Sequence, residues 1–229
     1  MNINDKAIVK EYFNSTGFER WRRIYGEGEV SKVQKDIRIG HQQTIDTVLD
    51  WLRADGNLDG LTVCDAGCGV GSLAIPLAES GAKVYASDIS AKMVEEAKSK
   101  SSLLNRGYQD RLSFSVQDLE QLTGRYNTVI CLDVLIHYSQ KDIAKMISHL
   151  AELSQDRLIL SFAPKTFYLT MLKKIGEFFP GPSKTTRAYQ HPEQTIREIL
   201  IDNDFAINRT GMTSTSFYYS RIFEAVRHN

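Results

Sequence analysis

Short apolar runs alternate with amphipathic stretches through the middle of the chain. The runs LTVCDA, KVYASD, RLSFSVQD, YNTVICLDVLIHY and DRLILSFAP contain β-branched or aromatic residues. Such runs are typical of strands buried on both faces, and the stretches between them place apolar residues at three- and four-residue steps. Strands that alternate with helices over short connections predict an α/β fold, a doubly wound and mostly parallel sheet with helices on both faces.

Helical patterns precede this alternation, and a β-rich region follows it. One apolar helical face spans residues 30–53, with a break or pinch expected at Gly40. After a helix that begins near Pro192, two β-rich runs start at Phe205 and Phe217. We interpret these runs as a closing hairpin at the sheet edge, antiparallel to the other strands.

The chain is therefore predicted to form one domain without internal repeats. Its 229 residues are enough for one large core with attached covers. The single domain spans 1–229, and its predicted parts are a helical flap (1–55), a ligand-binding core (56–163), a lid insertion (164–190), and a C-terminal helix and hairpin that complete the sheet (191–229).

A glycine-rich turn, DAGCGVG, follows the first predicted strand. Gly67, Gly69 and Gly71 have no Cβ, so a ligand can approach the backbone closely. Asp88, at the end of the second strand, lies where a βαβ nucleotide site places a ribose acceptor. A dinucleotide site also has such a turn, but the carboxylate of Asp65 would repel a pyrophosphate. We therefore favour a methyl donor, a nucleoside with a sulfonium and an amino group.

Polar residues follow the ends of several predicted strands. In a doubly wound sheet the ligand lies at the carboxyl ends of the strands, so these side chains are expected to converge. The strand-end residues are Asp65, Asp88, Asp118, Asp133 and His137. By contrast, we interpret His41, on the apolar helical face, as a satisfied interior histidine and not as a catalyst.

The N-terminal stretch FERWRRIYGEGE mixes arginines with aromatic residues. It is either an amphipathic helix with its arginines in solvent or a flap over a flat, anionic ligand, because aromatic faces stack and arginines bind carboxylates. The stretch contains Phe18, Arg20, Trp21, Arg22, Arg23 and Tyr25.

The segment KTFYLTMLKKIGEFFPGPSKTTR interrupts the strand–helix alternation. Its five cations and the single acid Glu177 give a local charge of +4. It is either a solvated helical hairpin with its aromatics on the core or a lid over a large anionic substrate. Single-stranded nucleic acid would use similar residues, but the segment is short and nothing extends it into a basic track.

Composition limits the classes of partner and site. The formal net charge is +0, which argues against a nucleic-acid partner, and no apolar run reaches membrane-spanning length. We therefore expect at most peripheral membrane association. Cys64, Cys68 and Cys131 fall in or beside core strands, which favours reduced thiols and a cytoplasmic location. They lack further ligands at zinc spacing, so no metal site is predicted.

The glycine turn, Asp88, the QDLE run and the LDVLIHY segment together resemble class I S-adenosylmethionine-dependent methyltransferases. The flanks YFNSTGFERWRRIYGEGEVSKVQKDIRIGHQQT and DVLIHY narrow this resemblance to the magnesium-protoporphyrin IX O-methyltransferases of chlorophyll synthesis. The likeness then runs nearly end to end. The first helix begins almost at once, without a plastid targeting extension, which is similar to a cyanobacterial or bacterial member.

The resemblance implies how the methyl donor, S-adenosylmethionine, is bound. The glycine turn would lie against the methionine part of the donor, and Asp65 would support that turn or bind the amino group. Asp88 would accept hydrogen bonds from both ribose hydroxyls. Asp118 would accept from the adenine amino group, with Leu119 N–H near the ring and the Leu132 carbonyl facing the amino group. The implied donor site is Asp65, Gly67, Cys68, Gly69, Asp88, Ile89, Met93, Asp118, Leu119 and Leu132.

The resemblance also implies the reaction, methyl transfer to one propionate carboxylate of magnesium-protoporphyrin IX, which leaves S-adenosylhomocysteine. His137 would orient that carboxylate or remove a proton from it, and Tyr25 would position it from the flap. The magnesium belongs to the substrate. A purely structural role remains open for His137, as a cap on the following helix.

The family relation is further compatible with docking on a magnesium chelatase subunit and with peripheral contact at the thylakoid membrane. Two other functions stay open. One is a methyltransferase for another acceptor, such as a small acid, a phenolic quinone precursor or tRNA. The other is a non-catalytic module that senses tetrapyrroles on the same fold.

Overall fold

The computed structural model describes residues 3–26, 28–104, 107–165 and 188–228. These ranges contain seven strands, β1 (Thr62–Ala66), β2 (Lys83–Asp88), β3 (Leu112–Val116), β4 (Tyr126–Cys131), β5 (Ser154–Phe162), β6 (Phe205–Ser214) and β7 (Tyr219–Arg227). They form one sheet in the order β3-β2-β1-β4-β5-β7-β6. Strands β1 to β5 are parallel, and β7 lies antiparallel between β5 and β6. The predicted sheet and its closing hairpin are confirmed.

Helices cover both faces of this sheet. The helices are α1 (Ile3–Asn14), α2 (Thr16–Tyr25), α3 (Lys32–Ala54), α4 (Ala74–Glu79), α5 (Ala91–Leu104), α6 (Ile143–Leu153) and α7 (Glu193–Asp202). Side chains of a strand alternate between faces. Cys64 of β1 accordingly packs in the core with α6 and α7, whereas Val63 packs with α3 and α4.

Strand β4 is shorter than its apolar pattern predicts. The pattern continues to Tyr138, but the strand ends at Cys131. Asp133 has a φ of 58°, and a 3₁₀ turn follows over Leu135–His137. Leu135 is buried in that turn, and an apolar run does not distinguish a buried strand from a buried turn. The predicted long fourth strand is therefore wrong, and the turn is what carries His137.

Helix α3 runs unbroken for 23 residues, so the predicted break at Gly40 is wrong. A glycine costs a helix about 1 kcal/mol relative to alanine, and tertiary packing can offset that cost. Here the missing side chain makes room for a ring, since a Cβ at Gly40 would lie 2.4 Å from Cδ1 of Tyr218. The glycine brings the β6–β7 turn against α3.

The predicted lid, 164–190, falls mostly on 166–187, which lies outside the described residues. Its two ends meet: Lys165 N–H donates to the His191 carbonyl and His191 N–H donates to the Ala163 carbonyl, both at 2.9 Å. Tyr189 N–H donates to the Ile136 carbonyl at 2.7 Å. Both ends of the insertion are therefore fixed beside the 3₁₀ turn. Within the described ranges, no helix has the length and apolarity needed to cross a membrane.

A buried acid fixes the C-terminal hairpin to the sheet. Glu224 of β7 is fully buried and accepts from the Arg209 guanidinium of β6, with Arg157 of β5 at 3.4 Å. Asp55, after α3, binds the same two arginines but its side chain is 37% exposed. The two acids share their cations and differ in burial.

We expect Glu224→Gln to lower the free energy of unfolding by about 2 kcal/mol, since a buried hydrogen bond to a charged group contributes about 1.5–3 kcal/mol. Asp55→Asn, the matched control, should cost less than about 1 kcal/mol because exposed pairs contribute little. Urea unfolding midpoints measure both variants. Equal losses would contradict the assignment of Glu224 as the anchor of the hairpin.

Candidate active site

A pocket with an empty volume of about 660 Å³ lies at the carboxyl ends of the parallel strands. That size suits a small-molecule ligand. It brings together ten of the twelve residues that the sequence predicts for the site. The ten are Tyr25, Gly67, Cys68, Gly69, Asp88, Ile89, Met93, Leu119, Leu132 and His137.

The glycine turn is bound tightly to the end of β2. Gly67 N–H and Cys68 N–H both donate to the Ser87 carbonyl, at 2.8 and 2.9 Å. Gly67 has a φ of 89°, and a Cβ there would lie 2.2 Å from Cγ2 of Val134. Only glycine satisfies both constraints. The turn therefore presents its backbone to the pocket with no side chain from Gly67 in the way.

Asp88 lies at the end of β2 and faces the same turn. Its Oδ2 accepts from Gly69 N–H at 3.0 Å and its Oδ1 accepts from Ser90 N–H at 2.8 Å. Burial raises the pKa of Asp88, while these amide hydrogen bonds oppose the shift. Each carboxylate oxygen keeps a second lone pair. Asp88 can thus accept from two ligand hydroxyls without losing its own partners.

Asp65 is buried beneath the turn and does not line the pocket. Burial, and then the nearby Asp88, raise its pKa to about 7. Its Oδ2 is buried and finds no hydrogen-bond partner in the described part of the chain. A buried acceptor without a donor fits a cationic, donor-rich ligand such as S-adenosylmethionine.

Asp118 lies outside the first pocket, in an adjoining cavity that shares Ile89 with it. Its Oδ1 accepts from Glu120 N–H at 3.0 Å, and its Oδ2 is 2.7 Å from Lys6 Nζ. The carboxylate therefore already has partners, one of them from α1. Its predicted bond to adenine stays a prediction.

The N-terminal helices cover the pocket with aromatic rings. Phe13 lines it from α1, where the Ser90 hydroxyl donates to the Phe13 carbonyl at 2.9 Å. Tyr25 lines it from α2 and stacks on Trp21 with ring centroids 5.5 Å apart. The flap arginines do not line the pocket, and Arg22 is exposed. The aromatic part of the flap hypothesis thus agrees with this geometry, and the arginine part does not.

His137 enters the pocket from the 3₁₀ turn after β4. Burial lowers the pKa of His137 to about 4, against the opposing charge of Asp133, so the imidazole is neutral near pH 7. Its Nδ1 is buried and has no hydrogen-bond partner among the described residues. It does not cap α6, which has no side-chain cap. Burial raises the pKa of Tyr25 as well, so its hydroxyl stays protonated.

His41 and Asp133 also line the pocket. The sequence placed Asp133 among the converging strand-end residues without a specific role, and it gave His41 no role in the site. His41 Nδ1 lies 2.8 Å from Asp133 Oδ2. His41 therefore has a hydrogen-bond partner, as predicted for an interior histidine. It nevertheless lies in the site, because that partner lines the pocket and the His41 and Tyr25 ring centroids are 4.7 Å apart. A histidine on an apolar helical face gives no sequence signal of such a contact 92 residues away.

Family models match two parts of the chain. The model described as "Magnesium-protoporphyrin IX methyltransferase C-terminus" matches residues 131–227, and a "Methyltransferase domain" model matches residues 63–156. The first match spans the turn with His137 and the C-terminal hairpin, and the second spans the glycine turn.

Whole-chain relatives carry the same description. The magnesium-protoporphyrin O-methyltransferase of Synechocystis sp. is 68% identical over 225 residues, 98% of this chain and 97% of that protein. The chloroplastic magnesium protoporphyrin IX methyltransferase of Arabidopsis thaliana is 58% identical over 97% of this chain and 71% of its own length.

A solved structure agrees with these relatives. The crystal structure of magnesium protoporphyrin IX methyltransferase from Synechocystis PCC 6803 with bound S-adenosylhomocysteine superposes with a TM-score of 0.90 at 67% identity. The match covers 97% of this chain and 100% of that one. With relatives of this identity along almost its whole length, and with a glycine turn and a strand-end carboxylate at its pocket, the chain belongs to the magnesium-protoporphyrin O-methyltransferase family.

Proposed function

We propose that this protein transfers a methyl group from S-adenosylmethionine to a propionate carboxylate of magnesium-protoporphyrin IX, giving the monomethyl ester in chlorophyll biosynthesis. The observation that carries the proposal is that one pocket is lined both by the glycine turn with Asp88 and by the neutral hydrogen-bond donors His137 and Tyr25. The relatives at 58 and 68% identity support the acceptor.

The lower wall of the pocket binds the donor in this proposal. When bound, S-adenosylmethionine supplies a methyl group already activated on its sulfonium. Asp88 accepts from the ribose hydroxyls, and Asp65, buried beneath the glycine turn, supports that turn from below. Asp118 is already paired with Lys6, so its carboxylate would accept from the adenine amino group while also binding Lys6.

The upper wall orients the acceptor. A propionate is ionised near neutral pH and needs no base, so placing its oxygen in line with the methyl group is the main contribution of the chain. His137 is neutral and can donate one N–H to the carboxylate, and Tyr25 can donate its hydroxyl. The rings of Phe13 and Tyr25 line the pocket and offer apolar surface to a flat macrocycle, and Trp21 packs against both rings.

We further propose that the flap over 1–55 and the insertion over 164–190 are the covers of this site. The ends of the insertion lie beside the His137 turn, which supports this assignment. On the family relation alone, we propose that contact with a magnesium chelatase subunit delivers the substrate and that any contact with the thylakoid membrane is peripheral. Magnesium enters as part of the substrate.

Incubation with S-adenosylmethionine and magnesium-protoporphyrin IX should give the monomethyl ester, detected by mass spectrometry. The dimethyl ester of the same porphyrin is the matched control and should take up no methyl group, because it has no free carboxylate. Turnover of a phenolic quinone precursor or of tRNA, with none of the porphyrin, would contradict the proposed acceptor. Tight porphyrin binding without turnover of any acceptor would favour a sensor.

Asp88→Ala should weaken donor binding about 10- to 100-fold, since a hydrogen bond to a charged group contributes about 1.5–3 kcal/mol. Porphyrin binding should change less than twofold. Calorimetric titration with S-adenosylhomocysteine measures the first quantity. The matched control is Asp110→Ala, the same substitution at an exposed position. Normal donor affinity in Asp88→Ala would remove Asp88 from the donor site.

His137→Ala should lower kcat about 100-fold because a misplaced acceptor loses its in-line geometry, and Tyr25→Phe should lower it less. Because the pKa of His137 is about 4, this residue stays neutral between pH 6 and 9, and kcat of the parent should show no inflection from it in that interval. A pH series of kcat checks both points, with donor affinity as the control. Unchanged kcat in both variants would contradict their roles, and a His137-dependent inflection near pH 7 would contradict its neutral state.

A further inference from the structure

The carboxylate of Asp133 is the meeting point of four separate elements. His41 of α3 contacts its Oδ2 at 2.8 Å, and the Tyr218 hydroxyl donates to the same oxygen at 2.7 Å. The Ser161 hydroxyl of β5 donates to Oδ1 at 3.0 Å, with the Ser220 hydroxyl at 3.4 Å. Burial alone would raise the pKa of Asp133, but the hydrogen bonds from His41, Tyr218 and Ser161 hold it below its ordinary value. Asp133 is therefore ionised.

An ionised Asp133 fixes the tautomer of His41. A carboxylate only accepts hydrogen bonds, so the proton on this side of the ring must lie on Nδ1. Nε2 is then the ring atom left for a ligand. The His41 side chain is 13% exposed, lines the pocket and contacts the Tyr25 ring. His41 thus lines the pocket with one ring nitrogen, Nε2, not engaged by Asp133.

The charges of the residues that line the pocket determine how it would bind an acid. Among the described residues that line the pocket, the acids are Asp88 and Asp133, and there is no lysine or arginine. His137 is neutral, because burial holds its pKa at about 4. A substrate carboxylate would therefore meet the negative charge of Asp133 with no lysine or arginine among these lining residues to offset it. His41 is the lining group in direct contact with that charge that can carry a positive one.

We infer that His41, oriented by Asp133, is the group that binds the substrate's carboxylate, through Nε2–H of its imidazolium form. The inference deepens the proposed function and rests on it, since it names the residue that selects an acid over an ester. An imidazolium between two carboxylates, one from the protein and one from the substrate, satisfies both of its N–H donors. Asp133, Tyr218 and Ser161 act as positioning residues through His41.

Binding through Nε2–H while Nδ1–H donates to Asp133 requires a proton on both ring nitrogens of His41. The groups that face His41 are Asp133, Tyr25 on α2 and, across the pocket, His137. Tyr218, from the β6–β7 turn, binds the same carboxylate. Neither tyrosine is ionised near pH 7, because burial raises the pKa of each. Arg38, one turn earlier in α3, is engaged with backbone carbonyls.

The test is the preference for the free acid over its ester. Binding of magnesium-protoporphyrin IX and of its dimethyl ester is measured by fluorescence at pH 6.5, with S-adenosylhomocysteine present. The parent should bind the diacid at least 10-fold more tightly than the diester. His41→Asn keeps an amide donor for Asp133 but has no atom at the Nε2 position.

His41→Asn should reduce the preference about 10-fold and leave diester and S-adenosylhomocysteine affinities within twofold. His228→Asn, the same exchange at an exposed histidine, should behave as the parent does. An undiminished preference in His41→Asn, or an equal loss for diacid, diester and S-adenosylhomocysteine, would overturn the inference. Methyl transfer by the parent is scored separately: a His41-dependent preference without any turnover refutes the proposed function and supports the carboxylate site.

Discussion

A buried, ionised carboxylate must be surrounded by donors, and at Asp133 this requirement organises one wall of the pocket. Its partners come from α3, from β5 and from the C-terminal hairpin. Elements far apart in sequence are thereby drawn to the end of β4. The left-handed backbone of Asp133, an uncommon conformation outside glycine, turns the chain away from the sheet at this point and starts the turn that carries His137.

The rest of the fold makes these contacts geometrically possible. The hairpin of β6 and β7 extends the parallel sheet with an antiparallel strand, and its turn brings Tyr218 to the pocket. Gly40 leaves space for that ring against α3. On the other side, the glycine turn and Asp88 form a second wall that depends on local bonds to β2. One wall is thus built from local sequence and the other from long-range contacts.

This difference explains what could be predicted from sequence. The alternation of apolar runs and helical faces predicted the sheet, because it depends on local pattern. Strand-end positions by themselves predicted Asp88, Asp133 and His137 of the pocket lining, and the family resemblance implied the ten residues that line it. The end of β4, the intact helix at Gly40 and the contact between His41 and Asp133 depend on partners 85 to 178 residues away or on burial inside a turn. A single sequence contains no periodicity that reports them.

The hydrogen bonds that join the two ends of the insertion have an evolutionary consequence. Because Lys165 N–H donates to the His191 carbonyl and His191 N–H donates to the Ala163 carbonyl, the insertion is an excursion whose base is closed by backbone hydrogen bonds. Changing the length of such an excursion alters loop-closure entropy only slowly, and it leaves the sheet register untouched. Proteins descended from this fold are therefore expected to tolerate insertions and deletions at this position while keeping the strands that surround it.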